Sequence, residues 1–149
     1  MKILITGGAG FLGQRLAKRL LAARDLPVER VVLVDIVDPP RPDDPRFTSL
    51  GADIADEGVA TRLLADGVDA IVHLAAVVSG QAEADFSLGM RVNLDATRRL
   101  LDAARETGRC PRFVFASSVA VFSRPLPDVI LEETAAAPKS SYGMQKAVA

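Results

Sequence analysis

The feature that most constrains the fold is a regular alternation of short apolar runs and amphipathic segments. The runs are rich in β-branched residues and too short for core helices, so they predict strands buried on both faces of a parallel sheet. The predicted strands are Lys2–Ile5, Val31–Val34, Ala70–Leu74 and Arg112–Ala116, with a weaker one at Arg46–Leu50. Strands that alternate with helices predict right-handed βαβ crossovers and hence an α/β fold with a doubly wound parallel sheet.

Three segments between the strands have helical periodicity. Leu12, Leu16 and Leu20 recur at helical spacing, a second helix is expected from Asp56 to Ala65, and a long one from about Ala84 to Glu106. The core-facing side of the long helix is predicted to carry Phe86, Met90, Leu94, Thr97, Leu101 and Ala104.

Two proline-containing stretches, 38–45 and 123–138, are predicted loops, and no repeat or linker suggests a second domain within residues 1–149. A last helix begins near Ser140 and is followed by few residues. We therefore expect one nucleotide-binding domain that is incomplete at its C-terminal end. The substrate-binding part would lie elsewhere, and apolar surface would be left where further elements pack.

Composition excludes several classes of protein. The net charge is −1 and the basic residues are scattered, so no nucleic-acid partner is expected. No apolar stretch is long enough to span a membrane or form a signal-peptide core, so we expect no membrane partner and a cytoplasmic location. The single cysteine, Cys110, excludes an internal disulfide, and with the lone His73 it cannot form a structural zinc site. No metal is expected.

A glycine-rich turn follows the first strand and opens the first helix, with Gly7, Gly8, Gly10 and Gly13. This order predicts a Rossmann-type dinucleotide-binding turn, because glycine lets the backbone approach a pyrophosphate and the helix N-terminus attracts the anion. Asp35, at the end of the second strand, is placed to accept hydrogen bonds from a ribose diol and to repel a 2′-phosphate. The predicted cofactor is therefore NAD rather than NADP.

The last predicted helix carries Tyr142 and Lys146, which lie one turn apart on the same face. Tyrosine is a weak base at neutral pH, but a neighbouring ammonium stabilises the phenolate that a general base requires. Lys146 could also hold the nicotinamide ribose. The pair therefore predicts a catalytic base, although a plain amphipathic helix would show the same spacing.

Taken together, these features resemble the extended short-chain dehydrogenase/reductase family, the NAD-dependent epimerase/dehydratase type. The resemblance spans the whole chain and rests on the following segments: Thr6 to Gly13, Asp35, Asp53-Ile54, His73-Leu74-Ala75-Ala76, Asn93, Ser117-Ser118 and Tyr142 to Lys146. It implies that Ser118 binds the reacting hydroxyl, with Ser117 as the neighbouring candidate. It also implies that Tyr142 is the base, Lys146 its activator, and Asn93 the residue that orders the helix and a water near the lysine. His73 is expected to be structural.

The resemblance also implies contacts to NAD from residues around the glycine turn and at the strand ends. The residues implied to bind NAD are Gly7, Gly10, Phe11, Leu12, Gly13, Asp35, Asp53, Ile54, Leu74, Ala75, Ala76, Asn93, Tyr142 and Lys146. Asp53 would face the adenine amino group and Ile54 the ring. Dimers of this family pair through the long helix and the tyrosine helix, which implies a homodimer for the whole protein.

A closer resemblance, over Ala75–Asn93 and Ser140–Lys146, is to the subgroup that oxidises the C2 hydroxyl of the sugar acid D-erythronate with NAD. Ser79 and Gly80, with Ser118 and Tyr142, would then contact this small-molecule substrate, and Gln81 could also donate to it, although a polar surface loop would explain Ser79, Gly80 and Gln81 equally well. Two alternatives stay open: a nucleotide-sugar epimerase or dehydratase, and an NAD-binding sensor without turnover. Phe122-Ser123 replaces the usual Tyr-Gly, which disfavours the first. The intact set of Ser118, Tyr142 and Lys146 disfavours the second.

Overall fold

The computed structural model describes residues 1–23 and 25–149 and has a five-stranded, fully parallel sheet. The strands are β1 (Lys2–Thr6), β2 (Arg30–Asp35), β3 (Phe47–Gly51), β4 (Ala70–His73) and β5 (Arg112–Phe115). Their order across the sheet is β3-β2-β1-β4-β5, so the direction of winding reverses between β1 and β4. All five predicted strands are confirmed to within two residues at each end.

Helices cover both faces of the sheet. The helical segments are α1 (Phe11–Ala22), α2 (Val59–Leu64), α3 (Ser79–Ala84), α4 (Phe86–Gly89), a π-helical segment (Met90–Asp95), α5 (Ala96–Glu106), a 3₁₀ turn (Val119–Val121) and α6 (Ser141–Val148). Ala17 and Leu20 of α1 pack with Ile5 and Leu33 on one face of the sheet. On the other face, α2 and α5 pack against strand residues such as Leu4 and Ile71. The predicted doubly wound sheet is confirmed.

The helix predicted from Asp56 begins later, at Val59. Gly58 precedes it with φ of 74°, a left-handed conformation that an α-helix cannot include. Residues 56 and 57 therefore belong to the turn that joins β3 to α2.

The predicted long helix differs from the structure in its start and in its buried face. Asp85 is extended and caps α4 by accepting a hydrogen bond from the Leu88 N–H, so the helix begins at Phe86. Phe86 and Leu101, both predicted to face the core, are 54% and 43% exposed. Thr97 and Ala104 are buried as predicted, and the residues buried in addition are Gly89, Asn93, Ala96, Leu100 and Ala103. The predicted face was thus wrong at Phe86 and Leu101, because small and polar side chains form many of the close contacts here.

Leu12, at the start of the predicted stripe of α1, is also exposed. Leu20 is buried as predicted, together with Gly13 and Ala17, so the contact of the helix with the sheet begins one residue later than predicted. The stretches predicted as loops, 38–45 and 123–138, contain no strand or helix. None of the helices formed by the described residues is long and apolar enough to cross a bilayer.

Candidate functional site

A cleft of about 360 Å³ opens at the carboxyl ends of β1 to β4, where the winding of the sheet reverses. Ligands of doubly wound sheets bind at this position. Eight of the predicted cofactor residues line it: Gly7, Gly10, Asp35, Asp53, Ile54, Leu74, Ala75 and Ala76. Gln81, a possible substrate contact in the sequence, also lines it. The other lining residues, which the sequence did not indicate, are Ile36, Ala52, Val77, Leu88, Arg91 and Val92.

The glycine turn is packed too closely for side chains at two positions. Gly7 has φ of 72°, and a Cβ built on it would lie 2.7 Å from the backbone nitrogen of Ala75. A Cβ at Gly13 would collide with the Gly7 carbonyl oxygen, so α1 can approach β1 only because glycine is present. Phe11 and Leu12 form the first turn of α1 with exposed side chains and do not line the cleft. The first-turn N–H groups have no acceptor within the helix and are free for an anion.

Asp35 is tied to the same turn. Its Oδ2 accepts a hydrogen bond from the Ala9 N–H at 2.9 Å, and its Oδ1 accepts one from the Ile36 N–H at 2.8 Å. A carboxylate can accept about four hydrogen bonds, so both oxygens retain capacity for a ligand. The two contacts fix the carboxylate at the edge of the cleft.

The floor of the cleft is held by a chain of hydrogen bonds through His73. The Thr97 hydroxyl donates to the Asn93 carbonyl at 2.9 Å, so its oxygen must accept from His73 Nε2 at 3.0 Å. His73 Nδ1 then accepts from the Thr6 hydroxyl at 2.6 Å, and Thr6 Oγ1 accepts from the Ala75 N–H at 3.2 Å. Burial, with a smaller contribution from the charge of Lys146, lowers the pKa of His73 to about 4. His73 is thus neutral and structural, as its position in the sequence predicted.

Asn93 lies buried behind the cleft. Its Oδ1 accepts from the Val77 N–H at 3.0 Å, and its Nδ2 donates to the Val77 carbonyl at 3.2 Å. The same nitrogen donates to Gln145 Oε1 at 2.8 Å. Asn93 therefore connects the lining of the cleft to α6, the helix that carries Tyr142 and Lys146.

The candidate catalytic side chains lie around β5 and α6. Lys146 is almost fully buried, its Nζ donates to the Ala116 carbonyl at 3.0 Å, and it lies 4.6 Å from the centre of the Phe115 ring. Burial lowers the pKa of its amine. Tyr142 is half-buried, and its hydroxyl makes no hydrogen bond with another described residue. One Lys146 donor is used, which leaves two for a ligand.

The two neighbouring serines have different partners. The Ser117 hydroxyl donates its only proton to the Lys146 carbonyl at 3.1 Å. The Ser118 hydroxyl accepts from the Ala120 N–H at 3.1 Å, so its proton remains available for another oxygen. This difference supports Ser118 over Ser117 as the hydroxyl that contacts a substrate.

Helix α3 anchors the start of α6, which the sequence analysis did not anticipate. Glu83 accepts a hydrogen bond from the Tyr142 N–H at 2.8 Å, and this bond, followed by one from the Ser141 hydroxyl, lowers the pKa of the carboxyl. The Ser140 hydroxyl caps the same turn through the Gly143 N–H at 3.0 Å. Ser79 and Gly80, treated in the sequence as a possible loop, form the exposed first turn of α3.

A parallel sheet with this strand order, glycine turn and acidic residue defines a Rossmann-type dinucleotide-binding domain. A model of the NAD dependent epimerase/dehydratase family matches residues 3–149, so the chain belongs to that family. This confirms the family resemblance seen in the sequence.

Curated relatives and a solved structure show the same likeness. The chain is 50% identical to D-erythronate dehydrogenase from Cupriavidus necator, covering 99% of this chain and 48% of that protein. It is 45% identical to D-erythronate dehydrogenase from Haemophilus influenzae, covering 99% and 47%. The dTDP-glucose 4,6-dehydratase DesIV from Streptomyces venezuelae, solved with NAD, superimposes with a TM-score of 0.86 at 33% identity over 99% of this chain and 49% of that one. The chain thus spans about half the length of the curated relatives it matches.

Proposed function

We propose that the chain is the NAD-binding part of a dehydrogenase that oxidises the C2 hydroxyl of D-erythronate. The observation that carries the proposal is the identity of 50% and 45% to two curated D-erythronate dehydrogenases over 99% of this chain. The candidate site is compatible with it, because Asn93 links Val77 in the lining of the cleft to Gln145 of α6, the helix that carries Tyr142 and Lys146. A free sugar acid is small enough to need no nucleotide subsite.

The residues of the cleft fit a dinucleotide. At Gly7 and Gly13 no side chain covers the backbone beside the first turn of α1. The free N–H groups of this turn suit a pyrophosphate. Asp35 is fixed where a ribose diol can donate to it, and its charge disfavours a 2′-phosphate. Asp53 and Ile54 line the same cleft, and we assign them to the adenine. We infer NAD as the cofactor, with Phe11, Leu12, Leu74, Ala75 and Ala76 beside it.

In the proposed reaction NAD, when bound, supplies the hydride acceptor. The Tyr142 phenolate takes the proton of the C2 hydroxyl, and the Ser118 hydroxyl donates to the same oxygen. Lys146 stabilises the phenolate through its charge and uses its remaining donors on the nicotinamide ribose. Asn93 holds α6 and the Val77 backbone in register. General base catalysis of this kind contributes about 10²–10⁴-fold to the rate.

The proposed substrate contacts extend to α3. Ser79 and Gly80 form its first turn, and Gln81 lines the cleft, so N–H and side-chain donors lie beside the dinucleotide site. A carboxylate or hydroxyl of a four-carbon acid would find partners there.

We also propose one domain over residues 1–149 and a homodimer of the whole protein. Light scattering after size-exclusion chromatography tests the homodimer.

The test is an NADH-release assay on the whole protein that contains this chain. D-Erythronate is compared with its epimer D-threonate and with a nucleotide sugar such as dTDP-glucose. We expect one NADH for each D-erythronate oxidised and little with the other two. Conversion of the nucleotide sugar without net NADH would instead support the epimerase or dehydratase alternative, because there the hydride leaves and returns. NAD binding without turnover of any of them would support a sensor.

A further inference from the structure

Arg91 reaches across the cleft from the π-helical segment to the turn after β3. Its guanidinium lies 2.9 Å from Asp53 Oδ2 and 3.7 Å from Asp56 Oδ1. Arg91 and Asp53 both line the cleft, whereas Asp56 does not. The ion pair therefore joins two walls of the same site, and no pattern in the sequence links these residues.

The contacts of Asp53 leave its carboxylate little freedom. Its Oδ1 accepts from the Ala55 N–H at 2.9 Å, while Oδ2 is held by Arg91. The Asp53 side chain is 18% exposed, so it is largely screened from solvent but still open to the cleft. With a hydrogen bond on one oxygen and an ion pair on the other, the carboxylate keeps acceptor capacity for a ligand. What remains is an acceptor of fixed orientation next to Ile54, an apolar residue against which a base can pack.

We propose that Arg91 is a positioning residue that makes the dinucleotide site selective for adenine by fixing the Asp53 carboxylate as an acceptor for the 6-amino group. The inference rests on the proposed function, because it presupposes that a dinucleotide occupies the cleft. Arg91 itself need not touch the ligand. It acts by holding Asp53, and the second carboxylate, Asp56, limits the directions in which its guanidinium can turn.

The proposed selectivity for adenine can be tested with a dinucleotide that carries a different base. Adenine presents an amino donor at C6, whereas hypoxanthine presents a carbonyl oxygen there. A fixed carboxylate attracts the first and repels the second, and a hydrogen bond to a charged group is worth about 1.5–3 kcal/mol. A mobile carboxylate can turn away from the carbonyl and so loses most of this discrimination.

The experiment measures dissociation constants of NAD and of nicotinamide hypoxanthine dinucleotide by calorimetry, with the whole protein that contains this chain. We expect the wild type to prefer NAD by about tenfold, which corresponds to about 1.4 kcal/mol. Arg91→Ala should reduce the preference to about twofold, mainly through weaker NAD binding, and Arg91→Lys should restore part of it. The matched control is Arg98→Ala, because Arg98 pairs with Asp95 at 3.8 Å, is 68% exposed and does not line the cleft.

The outcomes separate the inference from the proposed function. A wild type that binds neither dinucleotide overturns both. A wild type that binds NAD but shows an unchanged preference in Arg91→Ala overturns only the role of Arg91. If Arg91→Ala lowers the affinity for both dinucleotides equally, the proposed role of Arg91 is also overturned, because that pattern indicates a phosphate contact or a general loss of structure. Thermal unfolding of each variant shows whether the fold is retained.

Discussion

Asn93 and Gln145 are joined side chain to side chain, with Asn93 Nδ2 donating to Gln145 Oε1 at 2.8 Å. The Val77 N–H bonds to Asn93 Oδ1, which fixes the orientation of the Asn93 amide and hence that of Gln145. Gln145 Nε2 consequently faces Gly89. Among the described residues it is the buried side-chain nitrogen or oxygen that has no hydrogen-bond partner. The register of α6 against the π-helical segment thus depends on the absence of a side chain at Gly89.

The first prediction concerns this contact. A Cβ at Gly89 would lie 2.5 Å from Gln145 Nε2, so Gly89→Ala should destabilise the fold by about 1–3 kcal/mol despite the better helix propensity of alanine. Gly80→Ala is the matched control, because Gly80 is helical and has nothing within 4 Å of such a Cβ. Urea unfolding measures both, and Gln145→Ala combined with Gly89→Ala should recover part of the loss. Equal stability of the two glycine variants would show that the amide moves aside freely.

The second prediction concerns the cofactor preference set by Asp35. Replacement by asparagine keeps a hydrogen-bond acceptor for the Ala9 or Ile36 N–H but removes the charge that repels a 2′-phosphate. We expect Asp35→Asn to shift the ratio of NAD to NADP affinity by about tenfold or more towards NADP, about 1.4 kcal/mol. Asp43→Asn, an exposed aspartate in the loop before β3, should leave the ratio unchanged. Comparable affinity of the wild type for both cofactors would refute the role of Asp35.

The third prediction separates the roles of Tyr142 and Lys146 in the whole protein. Tyr142→Phe should leave NAD binding nearly intact and lower turnover by about 10²-fold or more, the scale of a lost general base. Lys146→Ala should impair both, because in the proposed mechanism its buried amine serves the phenolate and the ribose. The control is Lys139→Ala, because Lys139 is exposed and its side-chain amine donates to the Arg124 carbonyl, away from the candidate site. Steady-state kinetics and calorimetric binding give the two readouts, and a Tyr142→Phe variant that retained most of its activity would require a different base.

The sheet was largely predictable from the sequence because its central strands are apolar runs, such as Val31–Val34, which are typical of buried parallel strands. The edge strand β3, with Thr48 and Ser49, gave the weaker signal. The cleft was predictable in outline for a related reason. Glycines such as Gly7 and the acidic Asp35 occur at strand ends, and parallel strands bring those ends to one edge of the sheet.

The parts that the sequence did not reveal depend on contacts between distant residues. Arg91 pairs with Asp53, and Glu83 caps the helix that begins beyond Ser140, but no local pattern connects either pair. The buried face of the helical stretch from α4 to α5 was predicted only in part, because periodicity counts apolar residues: Thr97 is buried as predicted, whereas Phe86 is exposed. The structure instead buries Gly89 and Asn93 there, for close packing and hydrogen bonding against Gln145.

The last prediction follows from the neutral state of His73. Burial and the nearby charge of Lys146 lower its pKa from 6.5 to about 4, whereas an unfolded chain leaves it near 6.5. Between these two pH values His73 binds a proton in the unfolded state but not in the folded state. The contribution of neutral His73 to the free energy of unfolding is therefore complete above a pH of about 6.5 and is lost as the pH falls towards about 4. The free energy of unfolding should fall by about 3 kcal/mol over this pH range.

Urea unfolding from neutral pH down to about pH 4 measures this loss, and the variant His73→Gln removes the titrating group while keeping an amide that can bond to Thr6 and Thr97. We expect the variant to be less stable at neutral pH, because its amide cannot reproduce the ring's geometry, and to depend less on pH than the wild type. The difference in stability between the two proteins should therefore shrink as the pH falls. A constant difference across the range would mean that His73 titrates alike in the folded and unfolded states and that burial does not hold it neutral.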